Sequence, residues 1–229
     1  MRAMKPSPPT IEAVALDLDG VLVDSEGINV EAARRAFAAL GVALDDEDAA
    51  LIVGRHPRDY LADLARRHPE AAAVLDGIAA RQQRIYDELS RTVRPVPGAL
   101  ELVAGLRSRG LPLALATSSN RSAALAALEA LGLAGAFAAV LALEDVTRRK
   151  PDPEIYRRAS RALGVPPTRV LAVEDSPPGC RAARDAGLVV AAFDPRGRLD
   201  ASVPADLRVR SLGAVLDWLD GRAAPSAAR

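Results

Sequence analysis

Short apolar runs alternate with helical patterns along most of this chain. That alternation restricts it to an α/β fold, a parallel sheet with helices on both faces. The runs are Val14–Leu16, Leu111–Ala116, Ala138–Ala142, Val170–Val173 and Val189–Phe193, with helical spacing over Arg121–Leu131, Pro153–Leu163, Pro178–Ala186 and Ala214–Leu219. The first run does not alternate apolar with polar residues, the pattern of a strand buried on both faces. It stops on Asp17 and Asp19, one residue apart, and Gly20 follows as the residue that permits a turn. Ligands of open α/β sheets bind beyond the carboxyl ends of the strands, so the two acids stand where a site belongs.

Residues 24–94 read differently. Helical spacing covers Gly27–Leu40 (ended by Gly41), Asp59–His68 and Ala71–Leu89, the last two split at Pro69; only Ala50–Val53 is ambiguous between strand and helix. The chain thus divides into a core, residues 1–23 and 95–229, and a helical insertion, residues 24–94, of small-domain size. Ala223–Arg229 reads as a frayed tail.

Composition removes several function classes. Lys and Arg number 30 against 30 Asp and Glu in 229 residues, so the basic excess of a nucleic-acid or acidic-membrane binder is missing. No apolar run is long enough to cross a bilayer. The Pro-rich stretch Met1–Thr10 lacks the apolar segment of a secretory signal, and a lone Cys180 forms no disulfide framework. The expectation is a cytoplasmic protein. At 3% aromatic residues no interface is evident, so a monomer is expected.

Four run ends carry chemistry. Asp17 and Asp19 repel unless a cation joins them or one is protonated, which suggests a hard metal such as Mg²⁺ and a carboxylate able to act as a nucleophile. A strand-end turn is the plainer alternative. Thr117-Ser118-Ser119-Asn120 places hydroxyls and amides before a helix start, a setting for phosphate, or merely a cap at Ser119 or Asn120. Lys150 precedes the helix of Pro153, as phosphate partner or surface charge. Glu174-Asp175-Ser176 supplies a second acidic pair for an oxygen cage, or an N-cap.

Asp17-x-Asp19, Thr117, Lys150 and Glu174-Asp175, in this order, resemble the four motifs of the haloacid dehalogenase superfamily over residues 13–220, and the insertion resembles that superfamily's helical cap. Asp17-Leu18-Asp19-Gly20-Val21-Leu22-Val23-Asp24-Ser25 is similar to the branch holding sugar-phosphate phosphatases and β-phosphoglucomutase. The resemblance implies a Rossmann-like three-layer core with the cap inserted after the first strand, and a small phosphomonoester as substrate. It implies Asp17 as nucleophile and Asp19 as general acid and base. By the same resemblance Mg²⁺ would be held by Asp17, the Asp19 carbonyl and Asp175, with Glu174 as a further ligand or water anchor. Thr117 and Lys150 would hold the phosphoryl oxygens, assisted by amides near Leu18, Gly20 and Ser118.

An acid at position 19 separates the chain from dehalogenases and phosphonatases, which lack one there. The β-phosphoglucomutase branch has a histidine where this sequence has Asn29 and a cap arginine where it has Pro57. Both departures favour a phosphatase over a mutase, with Arg55 or Arg58 as candidates for the distal part of the substrate and His56 and His68 away from the motifs. A metal-binding module without catalysis is the alternative of another class.

Overall fold

The computed structural model describes residues 10–52, 57–72, 75–89 and 93–221. A six-stranded sheet forms the centre: β1 (Ala13–Leu16), β2 (Leu113–Ala116), β3 (Ala139–Leu141), β4 (Val170–Glu174), β5 (Val189–Phe193) and β6 (Leu207–Val209), in the order β3-β2-β1-β4-β5-β6. Every pairing is parallel, so all six strands end at the same edge. The order reverses direction at β1, whose neighbours are β2 and β4, and a crevice opens beyond the strand ends at such a switch point.

The strands lack a polar alternation but carry an alternation of size. Val14, Leu16, Leu113, Leu115, Leu171 and Val173 face one apolar cluster, together with α6 (Ala99–Ser108), α7 (Arg121–Ala130) and α10 (Gly213–Leu219). Ala13, Ala15, Ala114, Ala116 and Ala172 face the other, against α8 (Glu154–Leu163) and α9 (Pro177–Asp185). A face lined by methyl groups lets helices come close. Tyr156 of α8 and Cys180 of α9 are wholly buried there. These layers make the three-layer α/β core expected from the sequence.

Between β1 and α6 lie α1 (Glu26–Ala38), α2 (Asp46–Ile52), α3 (Pro57–Arg67), α4 (Pro69–Ala72) and α5 (Leu75–Leu89). Helices α1, α2, α3 and α5 share a separate apolar cluster around Phe37, Ile52, Tyr60, Leu64 and Ile78. Asp48, fully buried, ties this unit together: it accepts from the Asp45 N–H, from Arg67 Nε at 2.7 Å and pairs with His68 Nε2 at 2.9 Å. Burial opposes its charge, but His68, the Asp45 N–H and Arg67 outweigh that and hold its carboxyl below the usual range. The chain enters and leaves the helical unit side by side, with a Val23–Pro95 bridge, Asp24 N–H on Arg94 O at 3.0 Å and Val96 N–H on Leu22 O at 3.0 Å.

Three elements differ from the sequence reading. The ambiguous Ala50–Val53 is helical as far as Ile52, within α2, whose start is fixed by reciprocal bonds between Asp45 and Asp48. Helix α6 was not anticipated, although Ala99, Leu102, Val103 and Leu106 bury one helical face. Strand β6 is three residues long, with partly exposed Arg208 at its centre, and has no local signal apart from its partner β5. Among the described residues no helix is long and apolar enough to cross a membrane.

The alanine face predicts a specific sensitivity. Ala15→Leu is expected to cost about 1–3 kcal/mol, as overpacking of a close-packed layer does, measured by urea denaturation, whereas Leu125→Ala on the exposed side of α7 is expected to stay within about 0.5 kcal/mol.

Candidate active site

The ends of β1, β2 and β4 converge on one ammonium group. Lys150 Nζ donates to Asp17 Oδ1 at 2.9 Å, to Ala116 O at 2.8 Å and to Glu174 Oε1 at 2.5 Å. All three of its N–H donors are thereby used. Its side chain is 5% exposed, so the surface-charge alternative fails. Burial opposes the lysine's charge, but Asp17 and Glu174 push its pKa above the ordinary lysine value. The Tyr156 ring lies 5.1 Å from the ammonium, and its hydroxyl donates to Glu174 Oε1 at 2.5 Å. Tyr156 escaped the sequence reading because an apolar-face tyrosine on a helix carries no motif.

Asp175 completes the acidic group: one carboxylate oxygen from each of Asp17, Glu174 and Asp175 lies within 4.8 Å of the others. Burial, then Glu174 and, less strongly, Asp19, push the Asp17 carboxyl up to about 7 against the pull of Lys150. Burial, then Asp17 and Glu174, push Asp175 well above the carboxylate range. Three carboxylates against one ammonium leave an excess of negative charge, and the donors are hard oxygens. That is the donor chemistry of a divalent cation such as Mg²⁺.

Two glycines let these acids approach. Gly20 has φ +78°, and a Cβ on it would collide with the Asp175 carboxylate. A Cβ on Gly179 in the first turn of α9 would collide with the Glu174 carboxylate. The Gly20 N–H donates to Val23 O at 2.8 Å. In the structure that amide is paired within the turn, and the missing side chain makes room for Asp175. The Leu18 side chain is buried in the apolar cluster, so only its backbone reaches the strand end.

Cap and site readings of the polar run ends prove compatible. Asn120 caps α7 by accepting the Ala123 N–H at 2.8 Å. Thr117, fully buried, accepts the Ser119 N–H at 3.0 Å and keeps its own proton for donation, while Ser118 is exposed beside it. Ser176 caps α9 by accepting the Gly179 N–H, and its hydroxyl donates to Glu174 Oε2 at 3.1 Å. Asp19 stands apart from the three clustered carboxylates. Ser119 Oγ donates to its Oδ2 at 2.6 Å, and Tyr86 of α5 donates to its Oδ1. Ser119 and Tyr86 were not anticipated: one looked like a cap, the other lies 67 residues from its partner. Of the insertion candidates, Arg55 and His56 lie outside the described residues and Arg58 is in the first turn of α3 with its side chain also outside them. His68 is engaged with Asp48.

A parallel sheet with clustered acids and a lysine beyond its switch point, and a helical unit inserted after the first strand, define an α/β protein with a site at the strand ends. The sequence profile of the haloacid dehalogenase-like hydrolases matches residues 11–187, and the chain belongs to that family. It is 34% identical over 197 residues to validoxylamine A 7'-phosphate phosphatase of Streptomyces hygroscopicus subsp. limoneus (86% of this chain, 92% of that protein). It is also 34% identical over 182 residues to the phosphorylated carbohydrates phosphatase of Thermotoga maritima (78% and 82%). Among solved structures, CbbY from Rhodobacter sphaeroides in complex with phosphate superposes with a TM-score of 0.73 at 30% identity, over 90% of this chain and 96% of that one. The protein is a phosphatase of this family.

The charge excess predicts a pH dependence. Between about 4 and about 7 the folded Asp17 retains a proton that the unfolded chain, at 3.8, releases. Metal-free protein is therefore expected to lose stability as pH rises through that window. Asp17→Asn flattens the slope, and millimolar Mg²⁺ raises the melting temperature most at the alkaline end. Thermal unfolding in chelator and in Mg²⁺ across pH 5–8 measures both.

Proposed function

We propose that this protein is a Mg²⁺-dependent phosphatase of small phosphomonoesters, sugar phosphates foremost, acting through an aspartyl-phosphate on Asp17. The observation that carries the reading is the arrangement of Asp17 against Lys150, with Asp19 two residues on and held apart from the acidic cluster. A carboxylate kept close to a lysine is a nucleophile with its counter-charge in place, and a second carboxylate outside that pairing is available to carry a proton. The phosphorylated substrates in the names of the relatives support the substrate class.

In the first step an Asp17 oxygen attacks phosphorus, the bond from phosphorus to the ester oxygen breaks, and Asp19 gives that oxygen its proton. In the second, Asp19, now a carboxylate, takes a proton from water as the water attacks phosphorus and the bond to Asp17 breaks, releasing inorganic phosphate. Thr117 and Lys150 hold the phosphoryl oxygens with amides at Leu18 and Ser118, Lys150 exchanging one present acceptor for the substrate. Asp17 and Asp175 with the Asp19 carbonyl would hold Mg²⁺, which would supply charge neutralisation at the transferring group. Glu174, whose Oε1 accepts from Lys150 and Tyr156 and whose Oε2 accepts from Ser176, would be a further ligand or water anchor. Residues 24–94 form the cap, joined to the core at Val23–Asp24 and Arg94–Pro95, and close over the substrate.

Purified protein with Mg²⁺ is expected to release inorganic phosphate from members of a sugar-phosphate panel, and Asp17→Asn to lower kcat by about 10³-fold or more, as removal of a nucleophile does. With β-glucose 1-phosphate, free phosphate without glucose 6-phosphate supports the phosphatase; glucose 6-phosphate with little free phosphate establishes a mutase and overturns the reading of Asn29 and Pro57. Mg²⁺ binding with no turnover of any ester, unchanged by Asp17→Asn, leaves a binding module.

A further inference from the structure

The last turns of α5 carry two neighbouring side chains that cross from the helical unit to the core. Tyr86 donates its hydroxyl to Asp19 Oδ1, and Asp87 Oδ1 accepts Asn120 Nδ2–H at 2.9 Å. Both core partners are already oriented. Asp19 Oδ2 accepts from Ser119 Oγ at 2.6 Å. Asn120 turns its oxygen to the Ala123 N–H to cap α7, which sends its amide nitrogen outward to Asp87. Asp87 is in turn steadied by Gln83 Nε2 at 2.9 Å, one turn earlier on the same helix. Tyr86 is 8% exposed, a buried side chain.

A carboxyl held at one oxygen by Ser119 still rotates about its short side chain; a second bond at the other oxygen fixes its plane. The first bond comes from the core, the second from the insertion. We propose that Tyr86 is a positioning residue for the reaction: from the insertion it orients the Asp19 carboxyl for proton transfer to the leaving oxygen, so that Asp19 is aligned only when α5 is docked on the core. The Asp87–Asn120 bond holds that docking without touching Asp19. The inference rests on the role given to Asp19 above. It ties proton transfer to closure, when bulk water is shut out.

Leaving-group chemistry tests it. An alkyl phosphate needs its departing oxygen protonated, whereas p-nitrophenolate departs without a proton, so only the first ester depends on an aligned acid. Tyr86→Phe is expected to lower kcat/KM for a sugar phosphate about tenfold, the effect of one lost orienting interaction, and for p-nitrophenyl phosphate less than about twofold. Asp87→Asn, which keeps the Tyr86 hydroxyl and only weakens docking, is expected to show the same leaving-group dependence at a smaller size. Thermal midpoints of each variant confirm that it is folded. An equal fall on both esters in Tyr86→Phe, or no fall, overturns the positioning role while leaving the phosphatase in place. A leaving-group-dependent loss in Asp87→Asn as large as that in Tyr86→Phe also overturns it, since docking would then carry the effect. A wild-type protein inactive on both esters removes the phosphatase reading, and this inference with it.

Discussion

The Lys150 ammonium is the interaction on which the rest of the site depends. Its three N–H groups bind the ends of three adjacent strands, through the Asp17 carboxylate, the Ala116 carbonyl and the Glu174 carboxylate. A buried cation survives only with its hydrogen-bonding capacity filled and its charge matched, and here both conditions are met by groups that β1, β2 and β4 place at one edge. The lysine in turn offsets part of the repulsion among acids whose burial and crowding still push Asp17 and Asp175 above the carboxylate range. Glu174 anchors this framework, held by Lys150, Tyr156 and Ser176, and lies with Asp17 and Asp175 in one acidic cluster.

Packing makes that clustering possible. The alanine face of the sheet lets α8 and α9 lie close, and α8 brings Tyr156 under the ammonium while the loop before it delivers Lys150. Gly20 and Gly179 remove the two methyl groups that would displace Asp175 and Glu174. Small residues thus serve distance: each permits one approach between charged groups, and the charge pattern is the sum of those approaches.

Asp19 divides its two oxygens between the halves of the molecule, Ser119 from the core and Tyr86 from the helical unit. The two chain segments joining those halves run together at Val23 and Pro95, next to the loop that bears Asp19. Movement at that junction and the setting of Asp19 are therefore neighbours in the chain as well as in space.

The sequence by itself determined the α/β class, the helical character of most of residues 24–94 and the run-end residues Asp17, Thr117, Lys150, Glu174 and Asp175. These are local signals: an apolar run fixes a strand, and parallel strands deliver whatever follows them to the same edge. It also left real ambiguities that only contact resolves, because a hydroxyl before a helix reads as a cap whether or not it also serves a site; Asn120 and Ser176 are caps, and Ser119 is not. Tertiary structure alone decided that Lys150 is buried, that Glu174 anchors it, that Gly20 makes room for Asp175, and that Tyr86 meets Asp19. Each of these depends on residues far apart in the chain brought within hydrogen-bond reach, and no periodicity records such a meeting. Short β6 and the partnerships of Tyr156 were hidden for the same reason: their stabilisation lies in neighbours, not in their own residues.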